Sequence, residues 1–262
     1  MKKLLFYAIV ALGMLACTEK EQNVPDLKST DGALSGKFSV SRSTKVQFSK
    51  GNLQYNVGTQ AWRFAENQYN IIGESDQSES EWIDIFGWGT GNKPTLSSTN
   101  YNAYSIFNEW GANAISNGGN KANLWRTLTG DEWDYLFNSR TNAAKLFGIG
   151  SVNGINGTIL LPDDWSGDLF NDTENGLAKK EDYYRNESGT NFTFHTYTAE
   201  QWAEMEKNGA VFLPAIETIG SYWSATSLYG GSLAYNLYFS SYVLSPKNYT
   251  DRYNSLSVRL VH

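Results

Sequence analysis

Cysteine is almost missing from this chain. Of 262 residues only Cys17 is one, so no intramolecular disulfide forms and stability has to come from packing. Histidine is nearly as scarce. With only His195 and His262 present, a multi-histidine metal centre is excluded, and a Ser-His-Asp arrangement would have to recruit one of these two. His262 is the last residue and is expected to fray, while His195, in "NFTFHTYT", reads as a half-buried strand or loop residue. Charge is sparse as well: 18% of residues are charged and the net charge is -6, with no cluster of Lys and Arg. Binding to nucleic-acid phosphates needs such a cluster, so nucleic acid is excluded as a partner. "GWGTG", Gly87 to Gly91, lacks the Lys-Ser/Thr ending of a phosphate loop and reads as a turn. The acids of "LPDDWSGDLFNDTEN", Asp163, Asp164, Asp168 and Asp172, miss the alternating spacing of a calcium loop. They read as a solvated turn, and neither a metal nor a cofactor is expected.

Aromatic residues are abundant, at 15% of a chain that is 40% hydrophobic. With so few charges, the surface has to be covered by Ser, Asn, Thr, Gly and Tyr, the habit of extracellular β-rich domains. The N-terminus fits export. Lys2 and Lys3 precede an apolar stretch, Leu4 to Ala16, too short to span a bilayer and typical of a signal peptide. Cys17 follows directly, in the position of a bacterial lipoprotein's acylated cysteine. The expected organisation is a signal peptide over 1–16, lipid attachment at Cys17, a polar tether over 17–36 and one domain over 37–262. That places the protein on the outer membrane, exposed at the cell surface and held by its lipid.

The domain reads as α+β. Val46 and Phe48, then Leu53 and Tyr55, alternate with polar residues as strands do, and Lys50, Gly51 and Asn52 form a turn between them. The stretch from Glu74 to Asn123 is rich in Gly, Asn and Ser but carries Trp82, Phe86, Trp88, Phe107 and Trp110, so it is expected to be an ordered loop region pinned to the core by those rings. Two helices announce themselves by capping boxes: Thr129 with Glu132 ahead of Trp133, Leu136 and Phe137, and Thr198 with Gln201 ahead of Trp202 and Met205. "INGTILLPDDW" reads as a buried strand ending at Pro162. "AVFLPA", "GSYWSAT", "LAYNLYFSS" and "LSVRLVH" are four more strand candidates.

The C-terminal residues carry the recognition signal. In "SLAYNLYFSS", Tyr235, Leu237 and Phe239 share one strand face, and Asn236, Tyr238 and Ser240 share the other. If the first set packs inward, the second faces solvent. The neighbouring stretches use the same residue types. Tyrosine supplies a large rigid contact area at low entropy cost and Ser, Gly and Asn supply adaptable hydrogen bonds, the composition of antibody paratopes. The expected ligand contacts are Ser227, Tyr229, Asn236, Tyr238, Ser240, Tyr242, Asn248, Tyr249, Asp251, Tyr253 and Asn254, with nearby loop aromatics such as Trp88 and Trp110. The expected function is non-enzymatic recognition of a protein or glycan. A structural or fimbria-like assembly subunit and, less favoured, a hydrolase are the alternatives.

"KVQFSKGNLQY", "WRFAE", "WIDIFGWGTG", "WRTLTGDEWDYLF", "NGTILLPDDW", "GSYWSAT" and "SVRLVH", in this order, resemble the major-paralogous-domain (FISUMP-like) lipoproteins of Gram-negative anaerobes. That family is similar to the C-type-lectin-like fold of formylglycine-generating enzymes and of the variable proteins of diversity-generating retroelements. The resemblance implies paired terminal strands, two main helices and long ordered loops. It does not transfer every activity. The folded part has no cysteine for formylglycine chemistry, and the Glu-Pro-Asn, Gln-Pro-Asp and Trp-Asn-Asp motifs of calcium-dependent lectins are missing. In the variable proteins the ligand surface lies between "YWSA" and "SVRL", which corresponds here to Thr226–Asn254, with Trp223 and Arg259 as framework.

Overall fold

The computed structural model describes residues 31–75, 81–166, 192, 195–228 and 230–262. The signal-peptide and lipid-attachment expectations, Cys17 included, lie outside the described residues, as do Asp168, Asp172 and Tyr229. In chain order the strands are β1 (Phe38–Ser39), β2 (Lys45–Val46), β3 (Leu53–Asn56), β4 (Ala61–Phe64), β5 (Trp82–Ile83), β6 (Ile85–Phe86) and β7 (Arg126–Thr127). Helix α1 (Gly130–Asn138) follows, then β8 (Phe147–Val152), β9 (Ile155–Leu160), β10 (Thr196–Tyr197) and helix α2 (Ala199–Lys207). The chain closes with β11 (Val211–Pro214), β12 (Gly220–Ser227), β13 (Leu233–Phe239), β14 (Leu244–Asp251), β15 (Leu256–Ser257) and β16 (Leu260–Val261). The fold is therefore mixed α+β, mostly sheet with two helices among the described residues. None of its described helices is long and apolar enough to cross a membrane.

Both helices start where their capping boxes predict. Thr129 accepts from the Glu132 amide while Glu132 accepts from the Thr129 amide, and Thr198 and Gln201 repeat the exchange. Two orphan donors are thus satisfied at each N-terminus. Trp133, Leu136 and Phe137 are buried on α1, and Trp202 and Met205 on α2.

The C-terminus pairs with the segment after β2. Gln47 and His262 exchange both backbone hydrogen bonds, at 3.1 and 2.9 Å, and Ser49 donates to the Leu260 carbonyl at 2.9 Å. His262 is consequently held in a ladder instead of fraying. The packed chain also begins before the expected boundary at Lys37. Ala33 bridges Ser49, and Leu34 is buried in the core. Its apolar side chain is the reason: the segment from Ala33 to Gly36 has something to bury.

The C-terminal sheet has the order β14-β13-β12-β15-β6. An aromatic core lies on each of its faces. Tyr222, Leu237 and Phe239 join Trp133, Leu136 and Phe137 of α1 in one, and Trp223 and Ala234 join Trp62, Phe64, Phe86 and Trp110 in the other. The loop region after Glu74 is anchored as expected, since Phe86, Trp88 and Trp110 are buried and Phe107 packs against them. Arg259 threads between elements with no exposed surface. It donates to Gln68 Oε1 at 2.7 Å and to the Phe212 carbonyl at 3.3 Å, and Gln68 passes the contact to Glu206 at 2.9 Å. Burial lowers the Arg259 pKa to about 10. Trp223 donates to the Phe86 carbonyl at 2.6 Å, so both residues brace the C-terminal sheet against the loops.

Asp163 is not in a solvated turn. It accepts from the Ser39 amide and hydroxyl, at 3.0 and 2.6 Å, and pairs with Arg140 at 3.3 Å and Lys45 at 3.2 Å. Arg140 in turn donates to the Leu136, Leu161 and Leu146 carbonyls. Asp163 is thus the counter-charge of a buried cation that closes the C-terminus of α1.

Candidate functional site

Strand β13 is the regular member of the C-terminal sheet. Extra residues bulge from its neighbours, between Trp223 and Ser227 on β12 and between Ser245 and Asn248 on β14. Bulges re-aim side chains and end pairing cleanly. Residues directly opposite one another share a face, so Tyr249, opposite Tyr235, and Asp251, opposite Leu233, lie on the face that α1 covers. Asn248, opposite Asn236, lies on the other.

This geometry corrects the expectation for Asn236. It is not presented to solvent but is 1% exposed, because β13 is packed on both faces instead of one. The Asn248 amide donates to its oxygen at 3.3 Å. Tyr238 shares its face, half-buried opposite Ser221 and Ser245. Trp88 and Trp110 are likewise sealed instead of offered for stacking.

The other described residues of the expected set fall at the two ends of the β13–β14 hairpin. At the tip, the Ser240 hydroxyl accepts from the Tyr242 amide at 3.2 Å, and Tyr242 is 58% exposed. At the far end stand Ser227, Tyr249, Asp251, Tyr253 and Asn254. Tyr242 and Tyr249 are seven positions apart, roughly 20 Å along a strand. The ten described residues of the expected set therefore do not converge on one patch. The far end does form a group. Tyr249 is 56% and Tyr253 37% exposed, and the Tyr253 hydroxyl donates to Asp251 at 3.1 Å. That bond, together with the charge of Asp251, raises the Tyr253 pKa and keeps its hydroxyl a donor. Asn254 closes the turn by donating to the Asp251 carbonyl at 3.0 Å and to Thr250 Oγ1 at 2.6 Å.

Arg252 makes this end rigid. Its Nε donates to the Leu233 carbonyl at 3.1 Å, its Nη1 to the Tyr104 carbonyl at 3.3 Å, and its guanidinium sits 4.4 Å over the Trp88 ring. The Trp88 amide answers by donating to the Arg252 carbonyl at 2.9 Å, and the Trp88 indole donates to the Ser224 carbonyl at 2.9 Å. Burial lowers the Arg252 pKa. Beside Trp88 opens a cavity of about 180 Å³, lined by Thr90, Asn92, Lys93, Ser105, Ile106 and Asn108 among others. Gly89 permits this close loop packing: at φ +64° it lies so near Phe107 that a Cβ would come within 2.7 Å of the Phe107 Cα. Sequence reasoning missed Arg252 and Lys93. A cation just before a Tyr-Asn pair at a strand end was the available signal for the first.

On the face under α1, Lys247 pairs with Asp131 at 2.5 Å and lies 5.2 Å from the Tyr235 ring. The described residues contain no group of three or more His, Cys, Asp or Glu placed to hold a metal ion. His195 lies ahead of β10, where its carbonyl accepts from the Ser151 amide at 2.7 Å.

Comparison with protein-family models, with curated proteins and with solved structures returned no match.

Proposed function

We propose that this protein is an exported, lipid-anchored binding protein of the cell surface, with a C-type-lectin-like domain that recognises a protein or a glycan without catalysis. The ligand contacts are assigned to the far end of the β13–β14 hairpin: Ser227, Tyr249, Asp251, Tyr253 and Asn254, with the rim of the Trp88 cavity beside them. One observation carries this reading. Tyr253 exposes a ring held by its bond to Asp251, next to the Arg252 clamp, and Tyr249 exposes its ring at the same strand end. Preorganised aromatic residues lose little entropy on binding, which makes them effective anchors. The pairing of Gln47 and Ser49 with the C-terminus, the two capped helices and the long pinned loop are what the resemblance to a lectin-like domain implies, and they support that part of the reading.

A second reading is an assembly subunit, favoured by the hairpin tip, where Tyr242 and Val243 are both exposed. Its weakness is the strand behind the tip. β14 is an edge strand, but Pro246 and Lys247 interrupt it, and both are devices that discourage pairing with another strand. Probing glycan and surface-protein arrays with the purified chain separates the two. Capture of a ligand supports recognition, whereas self-association with no captured ligand favours assembly.

A further inference from the structure

Lys93 stands at the Trp88 cavity, Arg252 packs on the Trp88 ring, and among the described residues no acid pairs with either. Lys93 is the only charged residue among the ten that line it, and it is exposed. Arg252 does not line the cavity but sits 4.4 Å over the ring of Trp88, a residue that does. Although Arg252 is only 5% exposed, no carboxylate lies within 4.0 Å of it among the described residues, and both groups it donates to are backbone carbonyls. Asp251, its neighbour in sequence, is engaged by Tyr253. Buried cations are ordinarily paired. Positive potential is therefore gathered at one cavity of a chain whose net charge is -6.

The rest of the lining selects among anions. Asn92 and Ser105, both exposed, bring an amide and a hydroxyl that can donate and accept, while the Thr90 hydroxyl and the Asn108 amide already donate to the Gly87 carbonyl and to the Gly89 and Ile106 carbonyls. Trp88 lines the cavity while staying buried, and Ile106, 71% exposed, forms an apolar lip. The volume, about 180 Å³, is below the roughly 300–1,000 Å³ of drug-sized sites, so it suits a single ring. We propose that this cavity binds a hydroxylated ring bearing one carboxylate, of the size of a hexuronate, with Lys93 as its ion partner. The inference rests on the recognition reading and names the ligand chemistry of one part of that surface. The same ring is available free or as the end of a longer glycan.

Calorimetric titration of the purified full chain with sodium glucuronate tests this, with methyl glucoside as the uncharged counterpart and a glucuronate-terminated oligosaccharide as the glycan form. Glucuronate is expected to bind at least about tenfold more tightly than methyl glucoside, because charge-assisted hydrogen bonds are the stronger ones, and to weaken as salt is raised. Lys93→Ala should remove that preference and Lys93→Arg should keep it. Lys93 is exposed, so neither change threatens the fold. Tighter binding of the oligosaccharide would identify a glycan terminus as the source, and equal binding the free sugar. Equal affinity for the two monosaccharides, no binding of glucuronate in either form, or a Lys93→Ala variant that binds like the parent would overturn the proposal. Ligand capture on arrays that depends on Tyr249 but survives Lys93→Ala sinks the anion inference alone. Glucuronate binding that survives Tyr249→Ala, with nothing captured, sinks the wider surface reading alone.

Discussion

Replacing Arg252 by methionine keeps most of the side-chain stem and removes the guanidinium. Three contacts are lost: the bonds to the Leu233 and Tyr104 carbonyls, at 3.1 and 3.3 Å, and the stacking at 4.4 Å over Trp88. A hydrogen bond from a charged donor contributes roughly 1.5–3 kcal/mol and a partly desolvated cation–π contact about 1–2 kcal/mol. Against these stands the cost of holding a cation away from water, which methionine does not incur. The net loss is set at about 2 kcal/mol, which for a domain of this size lowers Tm by roughly 4–8 °C. The loss should also be local. The guanidinium joins β13 and β14 to the Trp88–Asn108 loop, so amide exchange in that loop should rise by roughly 30-fold, since 1.4 kcal/mol is a factor of ten. Thermal melting with hydrogen–deuterium exchange by mass spectrometry reads both. A Tm within about a degree of the parent, or faster exchange spread evenly over α2 and β9 as well, would refute the clamp.

Asn236→Ala should destabilise the fold by about 1 kcal/mol, the net worth of the lost hydrogen bond from half-buried Asn248, while ligand affinity per folded molecule stays at the parental value. Urea unfolding and titration of the folded fraction distinguish these. For Asp163, burial alone would raise the pKa, but the Ser39 hydrogen bonds and the charges of Arg140 and Lys45 hold it below the ordinary carboxylate value. Its contribution is therefore present above about pH 4, where the unfolded chain is also ionised, and is lost as pH falls through the lower folded value. Asp163→Asn should flatten that acid limb of the stability profile, and a profile identical to the parent would contradict the assignment. Glu217 sits at φ +54° in the tight turn between Ile216 and Ile219, a conformation that costs a side-chain-bearing residue about 1–2 kcal/mol. Glu217→Gly should raise stability by about 0.5–1 kcal/mol after the extra freedom of the unfolded chain is subtracted, measurable as a higher denaturation midpoint.

Local signals were the readable ones. The Thr129 and Thr198 caps are satisfied inside four residues, so no distant contact can overrule them, and both helices begin where their sequences say. The rings of the loop after Glu74 were equally legible, because a buried Trp needs a core wherever the backbone runs. β14 was not. "LSPKNYTD" has no apolar alternation and contains proline, and it is a strand only because it is an edge that needs few donors and has β13 to pair with. The inward-outward reading of β13 failed for a related reason. A period of two says which residues share a face, but not that both faces will be covered. That second cover comes from Trp62, Phe64 and Phe86, about 150 residues earlier in the chain. The same long-range packing splits the Tyr- and Asn-rich residues between two hairpin ends, a division that spacing alone does not carry.

Affinity for a ligand captured on the arrays, compared between the Tyr249→Ala/Tyr253→Ala double variant and Tyr242→Ala, tests the central claim most directly. If recognition resides at the far end of the hairpin, the double variant loses at least about tenfold in affinity, as expected for aromatic anchors, with its Tm unchanged, and Tyr242→Ala binds like the parent. A double variant that binds normally, or a loss confined to Tyr242→Ala, would contradict the account and move the contact surface to the hairpin tip.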